Sequence, residues 1–306
     1  MKQMRTWMFV PGIDERKMAK ASQLPVDAVI YDLEDAVAAN EKASARQLVK
    51  AQLQSAPGSN GTPARYVRVN AADSPFFAED VQEVCGAYLS GIVLPKAEEA
   101  SAIARLEALL DEWRGNGFAD SERQVGTVEI VPLIESARGL YHAYEIARAS
   151  KRIKRLMFGS IDFALDIQAD LTRDGQELLF ARSQLVVVSR AAGIGGPIDA
   201  VFPDVHDTEG LAGEARRARH LGFQGKLLIH PNQIGPVREV FAPVPEQVAE
   251  AEQIVAAFEE ALAVGVGSIQ VGGKLVDAPV YERAKRTIEE AREISLLTNP
   301  IRGEER

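Results

Sequence analysis

Val128-Glu-Ile-Val-Pro-Leu-Ile-Glu135-Ser136 and Arg155-Leu-Met-Phe-Gly-Ser-Ile-Asp162 are two apolar runs that each end on a carboxylate. Neither alternates apolar with polar residues, which is how strands buried on both faces read. Six more runs share this character: Thr6–Pro11, Ala28–Leu33, Tyr66–Val69, Gly91–Pro95, Ile198–Phe202 and Lys226–Ile229. Helix-period stretches lie between them. They cover Glu15–Leu24, Glu41–Leu53, Ala97–Trp113 (closed by Gly115 and Gly117), Ala137–Ser150, Glu209–His220 and Pro236–Phe241. The long gap from Phe163 to Gly196 reads as a loop and then one helix, Glu177–Ala192. Strand followed by helix, eight times with right-handed crossovers, predicts a TIM-type (β/α)₈ barrel over residues 1–242.

Pro243 and Pro245 break the pattern. Residues 243–306 then read as a C-terminal helical extension. A long helix, Glu246–Val264, leads to a turn carrying Gly265, Gly267, Gly272 and Gly273, with a short β-like insert, Ser268–Val271. A last helix starts near Pro279. The competing architecture, an open doubly wound sheet, usually carries Gly-x-Gly-x-x-Gly after its first strand. Pro11-Gly12-Ile13-Asp14 is not that loop.

With 306 residues, 46% of them hydrophobic, the chain can bury one large core. Its net charge of −9 makes it a poor general binder of nucleic acid or of an anionic membrane. An anionic substrate would need a local basic patch. Cys85 is the single cysteine, so no internal disulfide forms, and a reducing compartment suits it. The start, Met1-Lys-Gln-Met-Arg-Thr-Trp7, lacks the apolar core and cleavage site of a signal peptide. No apolar run approaches the ~20 residues of a membrane helix. The expectation is a cytoplasmic protein with a small-molecule substrate.

A TIM barrel places its chemistry at the C-terminal ends of its strands. Those ends read Asp32-Leu33-Glu34-Asp35, Arg68-Val69-Asn70, Pro95-Lys96, Glu135-Ser136, Gly159-Ser160-Ile161-Asp162 and His230-Pro231-Asn232. Five carboxylates and an arginine on one rim are costly unless a cation neutralises them. Oxygen donors without a Cys or His pair favour Mg²⁺, with Mn²⁺ as the substitute. Glu135 and Asp162 are the candidate ligands. The plainer alternatives are a salt-bridge partner for Glu135 and a helix N-cap for Asp162. Among Asp32, Glu34 and Asp35, one reaches the metal through water and the others hold loops or lysines. Arg68 offers a planar fork to a carboxylate or a developing enolate oxygen, or else pairs with Glu34 or Asp35. His230, before a proline, reads as structural. There is no Gly-x-Ser-x-Gly elbow, and Ser136 and Ser160 have no evident base. Lys96 sits where a Schiff-base lysine could, although a metal makes a second electrophile unnecessary.

Several of these motifs share the order and content of a known family. Arg5-Thr-Trp-Met-Phe-Val-Pro-Gly12, Asp32-Leu-Glu-Asp35 with Lys42 and Arg46, and Val67-Arg-Val-Asn70 carry the likeness, with Gly91-Ile-Val-Leu-Pro-Lys96, Pro132-Leu-Ile-Glu135 and Phe158-Gly-Ser-Ile-Asp-Phe163. The chain resembles the citrate lyase β-subunit-like proteins, grouped with malyl-CoA and citramalyl-CoA lyases in the HpcH/HpaI aldolase superfamily. The resemblance implies a Mg²⁺-dependent carbon–carbon lyase that cleaves or forms a 3-hydroxyacyl-CoA such as citramalyl-CoA or malyl-CoA. The products would be acetyl-CoA and a 2-keto acid, pyruvate or glyoxylate. It implies Glu135 and Asp162 as metal ligands and Arg68 as a contact to the reacting thioester or keto acid. Glu34 and Asp35 stand beside Arg68 as candidate catalytic residues. Asp277, in Val276-Asp277-Ala278-Pro279, matches a proton donor that a neighbouring subunit contributes. That implies a homo-oligomer, trimer or hexamer, with residues 243–306 acting as a lid. The plainer reading of Asp277 is a helix N-cap. Arg16, Lys20, Lys42 and Arg46 match the basic residues that meet coenzyme A, whereas Ile13 departs from a position often polar in the family. The rival readings are cleavage of citryl-CoA or a sugar acid, a malate-synthase or thioesterase reaction, and a non-catalytic regulator that binds CoA.

Overall fold

A computed structural model describes residues 4–55, 62–86, 88–115 and 128–298. Its strands are β1 (Thr6–Pro11), β2 (Ala28–Asp32), β3 (Ala64–Arg68), β4 (Gly91–Leu94), β5 (Glu129–Ile134), β6 (Met157–Phe158), β7 (Ile198–Asp199) and β8 (Gly225–Leu228). All eight pair in parallel, and β1 pairs with both β2 and β8, so the sheet closes into the expected barrel. The register sets Pro11 beside Asp32 and Asp32 beside Arg68, which aligns the first three strand ends at one level.

The surrounding helices are α1 (Glu15–Ala21), α2 (Lys42–Gln54), α3 (Phe77–Val84), α4 (Ala100–Gly115), α5 (Ala137–Tyr141), α6 (Ala143–Arg148), α7 (Ser160–Asp166), α8 (Leu179–Ala191), α9 (Thr208–Leu221) and α10 (Ile234–Val240). Two of them escape the sequence pattern. In α3 the apolar face of Phe77, Val81 and Val84 includes Asp80, which is fully buried and interrupts the hydrophobic stripe. Helix α7 is only seven residues long, and its cap, Gly159, has no side chain to signal a start. The stretch expected as one helix over Ala137–Ser150 divides at His142, which ends α5 and begins α6. Gly117, expected to help end α4, lies outside the described residues.

Strand alternation sorts the core into two layers. Trp7, Ile30, Tyr66, Val131, Leu133 and Met157 fill the barrel. Their neighbours in sequence, such as Met8, Val29, Val67 and Ile134, face the helices. The packed interior makes this barrel a core and not a channel. Between barrel and helices lies a buried charge cluster that the apolar pattern conceals. Lys226 Nζ meets Asp199 Oδ2 at 2.7 Å and Glu214 Oε1 at 2.6 Å, and Arg182 pairs with the same two carboxylates. Burial alone would raise the Asp199 pKa, but Lys226 and Arg182 outweigh it and hold the group below its ordinary value. Two cations and two anions balance, so the cluster pins β7 and β8 to α8 and α9.

Contacts divide the chain into two compact units, one of Met4–Phe241 and one that begins at Ala242. In the second, α11 (Pro245–Ala263) packs on α12 (Ala278–Thr298) through Ala251, Ala284 and Ile288. Between them a hairpin joins β9 (Ile269–Val271) to β10 (Lys274–Val276). Gly272 and Gly273 turn that hairpin with φ of 57° and 80°, a pair of left-handed positions that glycine fills without strain. No described helix is long and apolar enough to cross a membrane.

Candidate functional site

Alternation along the strands also places the polar residues. Inward positions on β2 run Ala28, Ile30, Asp32, and on β3 Tyr66, Arg68. On β5 they run Val131, Leu133, and then Glu135 just past the last rung. The sequence therefore sends Asp32, Arg68 and Glu135 into the mouth of the barrel by period two alone.

Asp32 and Arg68 form the floor of the site. Arg68 Nε donates to Asp32 Oδ1 at 2.7 Å and Nη2 to Oδ2 at 2.6 Å, a bidentate pair. The other guanidinium nitrogen, Nη1, lies 3.0 Å from Glu34 Oε2 and 3.2 Å from Asp35 Oδ2. Phe9 covers the guanidinium, 4.9 Å from ring centre to Cζ. Burial works against this cation, yet Asp32, Glu34 and Asp35 outweigh it and hold its proton more tightly than usual. Asp32 also accepts the backbone N–H groups of Glu34 and Ala36, so both its oxygens are committed inside the protein. It is a brace for the loop and for Arg68, not a free ligand.

Lys42 and Arg46, expected to meet coenzyme A, have internal roles instead. Lys42 Nζ donates to the carbonyls of Leu33 and Glu34, each at 2.7 Å, and so ties down the loop after β2. Arg46 Nε donates to Asp80 Oδ1 at 2.9 Å, and the other oxygen of Asp80 accepts from the backbone and side chain of Asn70. Both cations are buried, at 7% and 3% exposure. Releasing Lys42 to a phosphate would untie the loop after β2, and releasing Arg46 would leave the buried Asp80 carboxylate without its cation. The CoA role is therefore not carried forward for these two. Arg16 and Lys20 are different, because both are exposed on α1 directly after the first strand.

Glu135 is held closely on the rim. Its Oε1 accepts the Lys96 N–H at 2.7 Å, and a Cβ on Gly159 would lie 2.5 Å from its Oε2. Only 4% of the residue is exposed. Burial pushes its pKa up to about 8, with Glu34 and Asp162 adding repulsion against the pull of the Lys96 N–H and Arg68. Asp162 lies half-buried in the first turn of α7. Gly159, not Asp162, occupies the cap position, and no side chain bonds there. The Asp162 carboxylate is thus left to face Glu135.

Lys96 joins the two sides of the mouth. Its Nζ donates to Glu34 Oε1 at 2.9 Å, and its backbone adopts φ of 48°, unusual for a residue with a side chain. Such a conformation costs about 1 kcal/mol or more and collects at functional sites. That hydrogen bond to Glu34 raises its pKa, against the opposing effect of burial. A lysine held as ammonium is no nucleophile, which removes the Schiff-base alternative. Burial also raises the Glu34 pKa, against the pull of Arg68. Its Oε2, though close to Arg68, is buried without a hydrogen bond.

These donors suit a hard cation. Among the described residues no group of three or more His, Cys, Asp or Glu forms a protein cage. Mg²⁺ needs none, since it takes one or two carboxylates and keeps water or substrate oxygens for the rest. A buried carboxylate that holds its proton to about pH 8, with a second carboxylate acting on it, fits that requirement. His230 caps the short turn that follows β8: its Nδ1 accepts from the Asn232 N–H at 3.2 Å. In the second unit, Asp277 Oδ1 accepts from Val280 N at 3.3 Å, so the plainer reading of it as a helix cap is realised.

Known proteins resemble this chain along most of its length. The citrate lyase subunit beta of Leuconostoc mesenteroides subsp. cremoris is 40% identical over 93% of this chain and 92% of its own length. The mitochondrial citramalyl-CoA lyase of Rattus norvegicus is 32% identical over 93% of this chain and 85% of its own. The crystal structure of CitE from Mycobacterium tuberculosis in complex with magnesium, acetoacetate and coenzyme A superimposes with a TM-score of 0.77, at 29% identity, covering 95% of this chain and 100% of that one. The sequence profile described as HpcH/HpaI aldolase/citrate lyase matches residues 5–231, three quarters of the length. The chain belongs to the HpcH/HpaI aldolase/citrate lyase family.

Proposed function

We propose that this protein is a Mg²⁺-dependent carbon–carbon lyase that cleaves or forms a 3-hydroxyacyl thioester of coenzyme A, yielding an acyl-CoA and a 2-keto acid. The observation that carries this reading is Glu135. It is buried, held at Oε1 by the Lys96 N–H, repelled by Asp162, and protonated up to about pH 8 unless a cation takes the proton's place. Glu135 and Asp162 would hold the ion. Bound there, Mg²⁺ supplies an electrophile for the carboxylate and hydroxyl oxygens of the keto-acid half.

The chain's own groups do the rest. The substrate hydroxyl gives its proton to solvent water, and its oxygen becomes the carbonyl of the keto acid as the carbon–carbon bond breaks. The electron pair of the broken bond moves onto the departing acetyl thioester as an enolate. Arg68, held flat by Asp32 and Phe9, would share Nη1 between Glu34, Asp35 and that developing charge. The carboxyl of Asp277 then delivers a proton to the enolate carbon. Glu34 and Asp35 set the field around Arg68. Arg16 and Lys20 remain the candidates for the anionic phosphates of coenzyme A.

The same reading holds the protein to be a cytoplasmic homo-oligomer, a trimer or hexamer, in which a neighbouring copy supplies Asp277 over the mouth as part of a lid. It draws support from apolar surface on the barrel. Tyr141, Leu165 and Phe180 are 82%, 77% and 72% exposed. Their helices adjoin through Ala137 N to Asp166 and Gln184 to the Leu140 carbonyl.

The test is a panel of citramalyl-, malyl-, methylmalyl- and citryl-CoA, assayed with Mg²⁺ and with a chelator. A released 2-keto acid that requires Mg²⁺ is expected with at least one of them. Glu135→Gln and Asp162→Asn should each abolish turnover and cation binding together. Free CoA appearing as the first product, without carbon–carbon cleavage, would replace the lyase with a thioesterase.

A further inference from the structure

Lys96 is the residue whose geometry the lyase reading leaves unexplained. Its left-handed backbone aims its N–H at Glu135 Oε1, 2.7 Å away. Its ammonium reaches the opposite side of the mouth and holds Glu34 Oε1 at 2.9 Å. One residue thus touches two buried carboxylates that follow different strands, β2 and β5. Glu34 is 6% exposed and lies near enough to Glu135 for their charges to repel. Its second oxygen is buried with an ion-pair contact to Arg68 but no hydrogen bond. A carboxylate in that position would close on a cation if nothing restrained it. Glycine or asparagine would adopt the left-handed backbone with less strain, so the lysine side chain is the feature that needs a reason.

We propose that Lys96 is a positioning residue that keeps Glu34 out of the cation's inner shell, so that only Glu135 and Asp162 bind it and coordination positions stay open for substrate. The inference rests on the metal reading given above. It makes the site deliberately weak. Three carboxylates on one divalent ion bind it more tightly and fill the positions that the keto acid needs, since ligand charge count sets affinity at such sites. Two carboxylates with Glu34 neutralised by an ammonium leave the ion exchangeable and open. Removing the ammonium should therefore move cation affinity and turnover in opposite directions, which loss of a merely structural contact does not do.

The experiment is calorimetric titration of the full-length protein with Mg²⁺ alone, without substrate, on the wild type, Glu34→Gln, Lys96→Gly, the double variant and Lys96→Arg. Lys96→Gly deletes the ammonium, keeps the N–H, and suits a φ of 48°. It should bind Mg²⁺ about tenfold more tightly while keto-acid release falls. Glu34→Gln in the wild type leaves the Lys96 ammonium without Glu34 and should weaken binding no more than about threefold, whereas in the glycine background it should remove the whole tenfold gain. That coupling separates the proposal from simple loss of a nearby positive charge, which would act equally with or without Glu34. Lys96→Arg should stay within about threefold of the wild type. Lys96→Asn, also at ease in the left-handed region, repeats the test if the glycine variant folds poorly. Unchanged or weaker Mg²⁺ binding in Lys96→Gly, or an equal effect of Glu34→Gln in both backgrounds, overturns the proposal. A wild type that binds no Mg²⁺ overturns the metal reading itself, and this one with it.

Discussion

Gly159 has no side chain because Glu135 fills that space: a Cβ at position 159 would stand 2.5 Å from Glu135 Oε2 and 2.6 Å from its Cβ. The last residue before α7 and the last polar residue of the β5 end are thus mutually shaped. Gly159→Ala must push the carboxylate or its strand aside. The expected cost is about 1–3 kcal/mol of stability, the range for overpacking a tight site. Cation affinity should fall by about tenfold or more, since a displacement near 1 Å spoils coordination geometry. Urea unfolding and Mg²⁺ titration read the two effects. An alanine variant with wild-type cation affinity would show that Glu135 need not sit where it does.

Stability of the cation-free protein should fall as pH rises. The Glu135 pKa is about 8 in the folded chain, against 4.5 as its ordinary value. Between those values the folded state binds more protons than the unfolded one, so stability is greatest below about pH 4.5 from this group and declines until about pH 8. Glu135→Gln removes that dependence, and the difference between the two profiles should span on the order of 5 kcal/mol. Cation binding must displace the same proton, so Mg²⁺ affinity should weaken as pH drops below about 8, with proton release detectable in buffers of differing ionisation enthalpy. A wild type and a glutamine variant with parallel stability profiles would mean that the group is ionised without a cation.

The two families of basic residues should separate cleanly. Lys42→Met removes the ammonium that ties the Leu33 and Glu34 carbonyls together, leaving each with one donor, Asn70 Nδ2 and Val37 N, and should cost about 1–3 kcal/mol in urea unfolding. Its affinity for free coenzyme A should match the wild type. Arg16→Ala and Lys20→Ala should leave stability unchanged, because both residues are exposed, and should weaken coenzyme A binding severalfold. A stable Lys42→Met protein with weakened coenzyme A binding would restore the role that its burial removes.

What could be read from the sequence divides along physical lines. Unalternating apolar runs such as Val128–Ile134 announce a parallel barrel because burial on both faces is a property of each strand alone. The rim carboxylates were legible for the same reason, since barrel topology sends every strand end to one face. Asp80 and Lys226 were not legible. Each sits among apolar residues, and its partners, Arg46 in one case and Asp199 with Glu214 in the other, lie far off in sequence. Lys42 and Arg46 look like solvated helix charges until packing turns that face of α2 inward. Lys96 could be placed at the rim from Pro95-Lys96, but its backbone conformation and its reach to Glu34 depend on two other strands.

One substitution can separate the helix-cap role of Asp277 from its proposed role as an acid. Its carboxylate caps α12 by accepting from Val280 N, and the proposed reaction asks the same group for a proton. Asparagine caps helices about as well as aspartate but cannot act as a carboxylic acid. Asp277→Asn should therefore keep the wild-type melting temperature and Mg²⁺ affinity while kcat falls by about 10²–10⁴, the usual worth of a positioned general acid. Asp277→Ala loses both functions and should add about 0.5–2 kcal/mol of destabilisation to the same fall in rate. The two variants must agree in rate and differ in stability if the group is both cap and acid. An asparagine variant with wild-type kcat would leave Asp277 as a cap alone, and the proton would have to come from elsewhere.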